Sequence, residues 1–195
     1  MHDVLKNKKV VLASASPRRV ELLKQLGLQF IQLPADIDET MHPADNVNPK
    51  RYVQRIATLK CNAVKQKLDE DCLIIAADTT VYLNKSILGK PTCSREAFEF
   101  LKQLSGQTHL VYTGLAISFG YSLECDVAKS YVTFAELTDA EIMAYINTKE
   151  PMDKAGAYGI QGYGSQFIEK INGCYFNVMG FPIRLFYEIV KRIVV

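Results

Sequence analysis

The chain has 195 residues, a formal net charge of +2 and a hydrophobic fraction of 48%. This is enough apolar chain for the core of a single globular domain over residues 1–195, or for two closely packed lobes. The small net charge argues against a nucleic-acid polymer as partner, and no segment is apolar enough to span a membrane. The five cysteines are widely spaced and form no CxxC pair, so we expect reduced thiols in a cytoplasmic protein.

The N-terminal segment predicts a strand that leads into a helix through a serine-rich turn. Residues 10–13 form a short apolar run typical of a buried strand, and residues 28–33 indicate a second strand. Between them, Ser16 is a candidate N-cap, and Pro17 suits the first helical position because its missing N–H costs nothing there. Gly27 is placed to end the helix.

The turn before this helix has the residues of an anion-binding site. A helix N-terminus offers unpaired backbone N–H groups and the positive end of the helix dipole. Ser14 and Ser16 add hydroxyl donors, while Arg18 and Arg19 add planar charged groups suited to phosphate oxygens. An ordinary capped helix with two solvated arginines is the alternative. The turn is not a Walker loop, because the GxxxxGK[ST] spacing occurs nowhere in the chain.

The remaining patterns alternate between helix and strand, which predicts an α/β or α+β fold. Helices are predicted over residues 49–68, 94–104, 140–147 and 182–195. Strands are predicted over residues 73–83, 109–119 and 127–136, the last two joined by a hairpin across residues 120–124. No internal repeat or low-complexity linker divides the chain.

Two charged residues in the middle of the chain are candidate site residues. Asp78 interrupts an otherwise apolar strand, and a buried carboxylate is costly unless it meets a cation, a metal or a cleft. Lys90 lies between a flexible glycine and a rigid proline. The alternatives are a structural salt bridge for Asp78 and a surface turn for Lys90.

An acidic loop containing Asp36, Asp38 and Glu39 follows the second predicted strand. Hard oxygen ligands suit magnesium or manganese, which commonly bridge one or two carboxylates and a substrate phosphate. A solvated loop is the alternative. Lys60 lies on the one basic face of the helix predicted over residues 49–68, a face that is usually exposed to solvent.

Residues 153–164 contain four glycines, a density that permits positive φ angles and close approach of the backbone to a ligand. Within this segment Gln161 carries both a donor and an acceptor and is able to contact the edge of a base. An irregular loop is the alternative. The three histidines, His2, His42 and His109, form no recognisable triad, and we expect His109 to be a core residue of its strand.

Four motifs and a C-terminal pattern carry a resemblance over nearly the whole chain. They are LASASPRR at 12–19, AADTT at 76–80, ILGKP at 87–91, EPMDKAGAYGIQG at 150–162 and FxxxxxGxYxNVxGFP at 167–182. Together they closely resemble the Maf family of nucleotide pyrophosphatases. The resemblance implies an inosine triphosphatase-like α/β fold, in which an elongated mixed β-sheet with flanking helices forms two lobes around a central cleft. It also implies a homodimer.

The activity that the resemblance implies is hydrolysis of a nucleoside triphosphate to the monophosphate and pyrophosphate, with a divalent metal cation, Mg²⁺ or Mn²⁺. By their places in the motifs, the residues expected to hold the triphosphate are Ser14, Arg18, Arg19, Lys60 and Lys90. Asp78 would be the general base and a metal ligand. Asp38 lies where the family keeps a metal-associated acid, and Asp36 and Glu39 are weaker candidates.

Three residues match the dTTP/UTP type of this family, namely Arg18, Thr79 and Gln161. Arginine and glutamine suit the carbonyl-rich edge of uracil or thymine, whereas an aromatic residue would stack on a cationic purine. Modified pyrimidines share that edge. Tyr163 departs from the common pattern, in which a basic residue is frequent, and it adjoins the predicted base-binding loop.

Two other functions are compatible with the resemblance. One is a nucleotide-responsive regulator of cell division or septum formation that turns over slowly, but the sequence has no convincing basic and aromatic surface cluster for a partner. The other is a nucleotide-binding module without catalysis. The presence of Lys60, Asp78 and Lys90 together argues against that module.

Overall fold

The computed structural model describes residues 5, 8–41, 45, 48–68 and 72–194. The described strands are β1 (Val10–Leu12), β2 (Ile31–Gln32), β3 (Leu73–Leu83), β4 (Ser86–Leu88), β5 (Thr108–Phe119), β6 (Ser122–Phe134) and β7 (Ile168–Asn172). The described helices are α1 (Pro17–Gln25), α2 (Pro49–Lys65), α3 (Ser94–Leu104), α4 (Asp139–Asn147), α5 (Tyr175–Val178) and α6 (Ile183–Val194). Three 3₁₀ turns cover Glu150–Asp153, Ala155–Ala157 and Gly162–Phe167.

One mixed sheet contains all of these strands. Its order is β2-β1-β3-β5-β6-β7, and β4 pairs with β3 beside this path. β1 runs parallel to β2 and β3, whereas the other pairs are antiparallel. The sequence-based prediction of a mixed sheet with flanking helices is therefore confirmed.

The first lobe is built on both faces of the sheet around β1 and the first half of β3. Ile75 belongs to an apolar cluster with Leu23 of α1 and Phe186 of α6. Its neighbour Ile74 belongs to a second cluster with Ala57 of α2. Successive side chains of a strand point to opposite faces, so one strand anchors both layers of helices.

The second lobe lies at the other end of β3. Val81 and Leu83 belong to a cluster with Leu101 of α3 and Ile142 of α4. Because β3 passes from the first lobe into the second, its residues 78–80 lie at the junction between the two. A polar side chain at residues 78–80 is therefore held at this junction by a rigid strand.

Most predicted elements are present with modest changes of length. β3 and α3 have the predicted bounds. β2 is only two residues long, and α2 ends at Lys65 instead of residue 68. The predicted hairpin is confirmed, but its second strand covers Ser122–Phe134 instead of residues 127–136, because Gly120 and Tyr121 form a two-residue turn and Phe119 already pairs with Ser122. No helix within the described ranges is both long enough and apolar enough to cross a membrane.

β4, β7, α5 and the 3₁₀ turns were not predicted. β4 is joined to β3 by Asn84 and Lys85, which have φ angles of 50° and 65°. Two consecutive positive φ angles are typical of a tight hairpin turn, yet the sequence lacks the usual glycine that would have signalled it. The turn directs the chain after β4 back towards the junction between the lobes.

Candidate active site

A cleft of about 480 Å³ lies at the junction of the two lobes. It is lined by the turn between β1 and α1, by residues 78–81 of β3, and by the loop after β4. Residues 153–155 and 178–180 close its other sides. Side chains from distant parts of the sequence therefore meet in one concave space, the usual form of a small-molecule site.

Seven of the nine residues that the sequence assigned to a site line this cleft. They are Ser14, Arg18, Arg19, Lys60, Asp78, Thr79 and Lys90. The other two, Asp38 and Gln161, are not among the lining residues. Gln161 directly precedes the third 3₁₀ turn, two residues beyond Gly159, which does line the cleft.

The turn before α1 positions Arg19 more tightly than the sequence suggested. Arg19 is only 8% exposed and donates from Nε to the Gly180 carbonyl at 2.8 Å, from Nη1 to Ser14 Oγ at 3.0 Å and from Nη2 to Thr79 Oγ1 at 3.1 Å. Burial lowers the pKa of this guanidinium, and the neighbouring Asp78 opposes the effect. All three partners are neutral, so they orient the positive charge without cancelling it.

Ser16 occupies the N-cap position of α1, as predicted, but its side chain makes no capping hydrogen bond. Its backbone N–H donates instead to Ser14 Oγ at 3.2 Å. Ser14 thus accepts from both this N–H and the Arg19 guanidinium. Gly27 follows the end of the helix with a φ angle of 69°, as predicted.

Two other cations flank the cleft. Arg18 Nη1 lies 3.5 Å from Asp153 Oδ2, so an ion pair joins α1 of the first lobe to the loop of the second. Lys90 is exposed at the cleft and has no ion pair within the described ranges. The cationic lining side chains outnumber the acidic ones, five to three. This excess favours an anionic ligand.

Lys60 holds two carboxylates at the centre of the site. Its Nζ lies 2.8 Å from Asp78 Oδ1 and 3.0 Å from Glu39 Oε1. The side chains of Lys60 and Asp78 are each 11% exposed, so this pair is largely shielded from solvent. The solvated face expected as the alternative for Lys60 is therefore not what the structure shows. Glu39, ranked as a weaker candidate from the sequence, lines the cleft.

The arrangement of acids bears on the expected metal. No group of three or more histidine, cysteine, aspartate or glutamate side chains within the described ranges is placed to hold an ion. Asp78 and Glu39 nevertheless contact the same nitrogen, so the two carboxylates lie close together, and the point that their contacting oxygens share is occupied by the Lys60 ammonium. Two carboxylates together with substrate phosphate oxygens form a donor set that Mg²⁺ commonly uses, and these neighbouring carboxylates fit an ion placed beside the ammonium and not at its position. Asp38 is exposed and accepts bonds from the N–H and hydroxyl of Thr40.

The glycine-rich segment is fixed by contacts with the protein itself. Gly156 has a φ angle of 67°, and a Cβ atom there would lie 2.8 Å from Val81. At Gly164 a Cβ atom would lie 2.6 Å from the Gly159 carbonyl. Glu150 accepts from the backbone N–H of Gly164 at 3.2 Å. At Gly156 and Gly164 the backbone thus lies close to other atoms of the protein, whereas the sequence had predicted that it approaches a ligand.

Two tyrosines of the cleft were missed by the sequence analysis, since each lies in an ordinary amphipathic or glycine-rich context. Burial raises the pKa of Tyr52 to about 12, with Asp78 and Glu39 adding to the effect, so its hydroxyl keeps its proton at neutral pH. Tyr158 lines the cleft, and its hydroxyl lies 2.7 Å from Nε2 of His109.

His109 is the buried core residue that the sequence predicted, at 1% exposure. Its Nδ1 has no hydrogen-bond partner in the described part of the chain. Burial lowers its pKa to about 4, so the ring is neutral at neutral pH. His2 and His42, to which no role was assigned, lie outside the described residues.

Comparison with known proteins agrees with the resemblance seen in the motifs. Residues 9–193 match the family model described as Maf-like protein. The chain is 46% identical over 181 residues to the dTTP/UTP pyrophosphatase of Caldicellulosiruptor saccharolyticus, which covers 90% of both chains. It is 46% identical over 185 residues to the dTTP/UTP pyrophosphatase of Clostridium tetani, covering 93% of this chain and 96% of that protein.

A solved structure shows the same fold. The Ham1 protein of Staphylococcus aureus superposes with a TM-score of 0.53 and covers 95% of this chain, while 99% of that chain is covered. The two sequences are 17% identical, so the likeness concerns the fold alone.

Proposed function

Because this chain belongs to the Maf-like protein family, we propose that it hydrolyses dTTP and UTP to the monophosphate and pyrophosphate. The observation that carries the proposal is the cleft in which Arg18, Arg19 and Lys90 surround the buried Lys60–Asp78 pair. The relatives named as dTTP/UTP pyrophosphatases cover nine tenths or more of the chain and support the choice of substrate.

The cationic side chains bind the triphosphate. Arg19 is already aimed by three neutral acceptors, and Lys90 has no competing ion pair within the described ranges, so both charges are available to phosphate oxygens. Arg18 exchanges Asp153 for a phosphate when the substrate enters. Cleavage of a phosphoanhydride depends mainly on positioning and on neutralising charge, which these groups supply.

Asp78 acts as the general base. It lies on a rigid strand at the floor of the cleft, and Lys60 contacts Oδ1, so the second carboxylate oxygen can accept a proton from water. The water oxygen forms a bond to the α-phosphorus while the bond from that phosphorus to the bridging oxygen breaks. The bridging oxygen leaves with the pyrophosphate, and Asp78 carries the proton that the water lost.

A divalent cation, Mg²⁺ or Mn²⁺, is part of the proposal. Asp78 and Glu39 would hold it together with the substrate phosphates, because their contacts with Lys60 bring the two carboxylates close together. When bound, such an ion neutralises negative charge on the phosphate oxygens. The role of Asp38 as a metal ligand, which the resemblance suggested, stays a prediction. It is tested by comparing Asp38→Asn with Glu39→Gln. The measurement is the Mg²⁺ concentration that gives the half-maximal rate.

Recognition of the base rests more on the relatives than on the cleft. The hydroxyl group of Thr79 is hydrogen-bonded to Arg19 and Thr113. Gln161 does not line the cleft. Gln161 adjoins the lining residue Ile160, and we propose that it contacts the edge of uracil or thymine when a nucleotide is bound. Gln161→Ala should then reduce the preference for UTP over CTP, measured as a ratio of kcat/KM values.

The test is pyrophosphate release from dTTP, UTP, CTP, dATP, GTP and 7-methylguanosine triphosphate with Mg²⁺ or Mn²⁺. We expect rapid release from dTTP and UTP and a loss of at least about a hundredfold in Asp78→Asn. No release from any of these nucleotides, together with retained nucleotide binding, would instead favour the slowly acting regulator of cell division.

We also propose a cytoplasmic homodimer. The five cysteines are free thiols, which suits a reducing compartment. The proposal of a dimer rests on the family resemblance. Light scattering coupled to size-exclusion chromatography tests it, with a mass of twice 21.9 kDa as the expected result.

A further inference from the structure

A chain of hydrogen bonds runs from the cleft into the core. Arg19 Nη2 donates to Thr79 Oγ1 at 3.1 Å, and Thr79 Oγ1 lies 3.0 Å from Thr113 Oγ1. Thr113 Oγ1 then donates to the backbone carbonyl of Asn177 at 3.0 Å. Thr113 on β5 and Asn177 on α5 are both 0% exposed. Four segments far apart in sequence, namely α1, β3, β5 and α5, are thus joined by one chain of hydrogen bonds.

The directions of these bonds follow from counting protons. A carbonyl only accepts, so the single hydroxyl proton of Thr113 goes to Asn177. Thr113 then has only lone pairs to offer, and Thr79 must donate its own proton to Thr113. A guanidinium only donates, so the Thr79 oxygen accepts from Arg19. The Thr79 proton therefore points into the core, and its lone pairs face the cation.

Asn177, at the core end of this chain of hydrogen bonds, is held by further hydrogen bonds. Asn177 Nδ2 donates to the Val111 carbonyl at 3.1 Å and to Ser130 Oγ at 3.0 Å. The Asn177 carbonyl also accepts from the Gly180 N–H at 2.9 Å, and the Gly180 carbonyl accepts from Arg19 Nε at 2.8 Å. Arg19 is consequently tied to the segment after α5 by two routes that meet at Asn177.

We propose that Thr113 is a positioning residue, which sets the hydroxyl direction of Thr79 and through it aims Arg19 at the phosphates of the substrate. Thr113 does not line the cleft, so it acts only through Thr79. The inference rests on the proposed function to the extent that the ligand is a triphosphate. It adds a buried residue to the site that neither the sequence motifs nor the lining of the cleft indicates.

The experiment compares variants that differ in one hydroxyl group. Thr113→Val removes the hydroxyl at nearly constant shape, Thr113→Ala removes it without adding bulk, and Thr113→Ser keeps it. The matched control is Ser118→Ala, which removes another buried hydroxyl of β5, one that has no hydrogen-bond partner within the described ranges. Calorimetry measures the Kd of inorganic triphosphate, steady-state kinetics give kcat and KM for UTP, and thermal unfolding confirms the fold.

We expect Thr113→Val and Thr113→Ala to weaken triphosphate binding about tenfold, the value of one hydrogen bond of ordinary strength, and to raise the KM for UTP similarly. Thr113→Ser and Ser118→Ala should stay within twofold of the wild type. In a Thr79→Val background, Thr113→Val should have little further effect, because its partner is already absent.

Two results would overturn the inference. One is unchanged triphosphate affinity in a folded Thr113→Val or Thr113→Ala variant. The other is an equal loss in Thr113→Ser, which would show that packing and not the hydroxyl matters. If the wild type hydrolyses no nucleotide, the proposed function fails, while the triphosphate affinities still decide the role of Thr113.

Discussion

Lowering the pH from 7.5 to 5.0 should destabilise the folded chain through His109. Burial holds its pKa at about 4 in the folded protein, against an ordinary value of 6.5. Below pH 6.5 the unfolded chain takes up a proton that the folded chain refuses. The free energy of unfolding therefore falls as the pH drops from about 6.5 towards 4, and the contribution of His109 is fully present above that window.

The magnitude follows from the two pKa values. The full difference between the folded and unfolded pKa of His109 corresponds to about 3 kcal/mol in the free energy of unfolding, and about 2 kcal/mol of this is already lost at pH 5.0. Urea unfolding at pH 7.5 and 5.0 measures the loss in the wild type and in His109→Gln, which cannot take up the proton. All other ionisable groups are the same in the two proteins, so their contributions to the free energy of unfolding cancel in the comparison.

Tyr158→Phe separates burial from hydrogen bonding. It removes the hydroxyl 2.7 Å from Nε2 but leaves the histidine enclosed, and burial is the cause of its low pKa. This variant should therefore keep the pH dependence of the wild type. If the free energy of unfolding falls equally in the wild type and in His109→Gln between pH 7.5 and 5.0, His109 is not the cause of the pH dependence.

Three further predictions concern the cleft and the elements around it. Lys90→Ala should lower kcat/KM for UTP at least about a hundredfold, or about 3 kcal/mol of barrier, whereas Lys102→Ala, at an exposed pair, should leave it unchanged. Gly156→Ala should reduce the free energy of unfolding by about 2 kcal/mol because of its positive φ and the contact with Val81, while Gly89→Ala, which meets no atom within 4 Å, should cost far less. Thr138→Ala should remove the capping box of α4 and cost about 1 kcal/mol in urea unfolding, without a change in turnover.

The fold was predictable where a pattern is long and regular. β3 and α3 have clear apolar periodicity, and their bounds agree with the prediction at both ends. β4 was missed because the positive φ angles of Asn84 and Lys85 are held by the flanking strands and not signalled by glycine. β2 was too long in the prediction because Leu28, Gln29 and Phe30 alternate between apolar and polar, a pattern that looks like a strand whether or not a neighbouring strand pairs with it.

The site was predictable where one residue type has one plausible use. Asp78 interrupts an apolar strand, so a cation, a metal or a cleft was the expected explanation, and Arg19 follows a serine-rich turn at a helix start, where an anion was expected. That Glu39 and not Asp38 lines the cleft was not predictable, since the direction of a side chain in an aperiodic loop depends on tertiary contacts such as that with Lys60. Thr113 gave no signal at all, because a threonine in a strand is ordinary and its bond partners come from distant segments.

The products formed from UTP with Mg²⁺ show whether the protein cleaves between the α- and β-phosphates with Asp78 as general base. Anion-exchange chromatography of a time course, run with the wild type and Asp78→Asn, separates UMP from UDP and pyrophosphate from phosphate. We expect UMP and pyrophosphate in equal amounts from the wild type, and a rate at least about a hundredfold lower in the variant. UDP and phosphate as first products, or an unchanged rate in Asp78→Asn, would contradict this expectation.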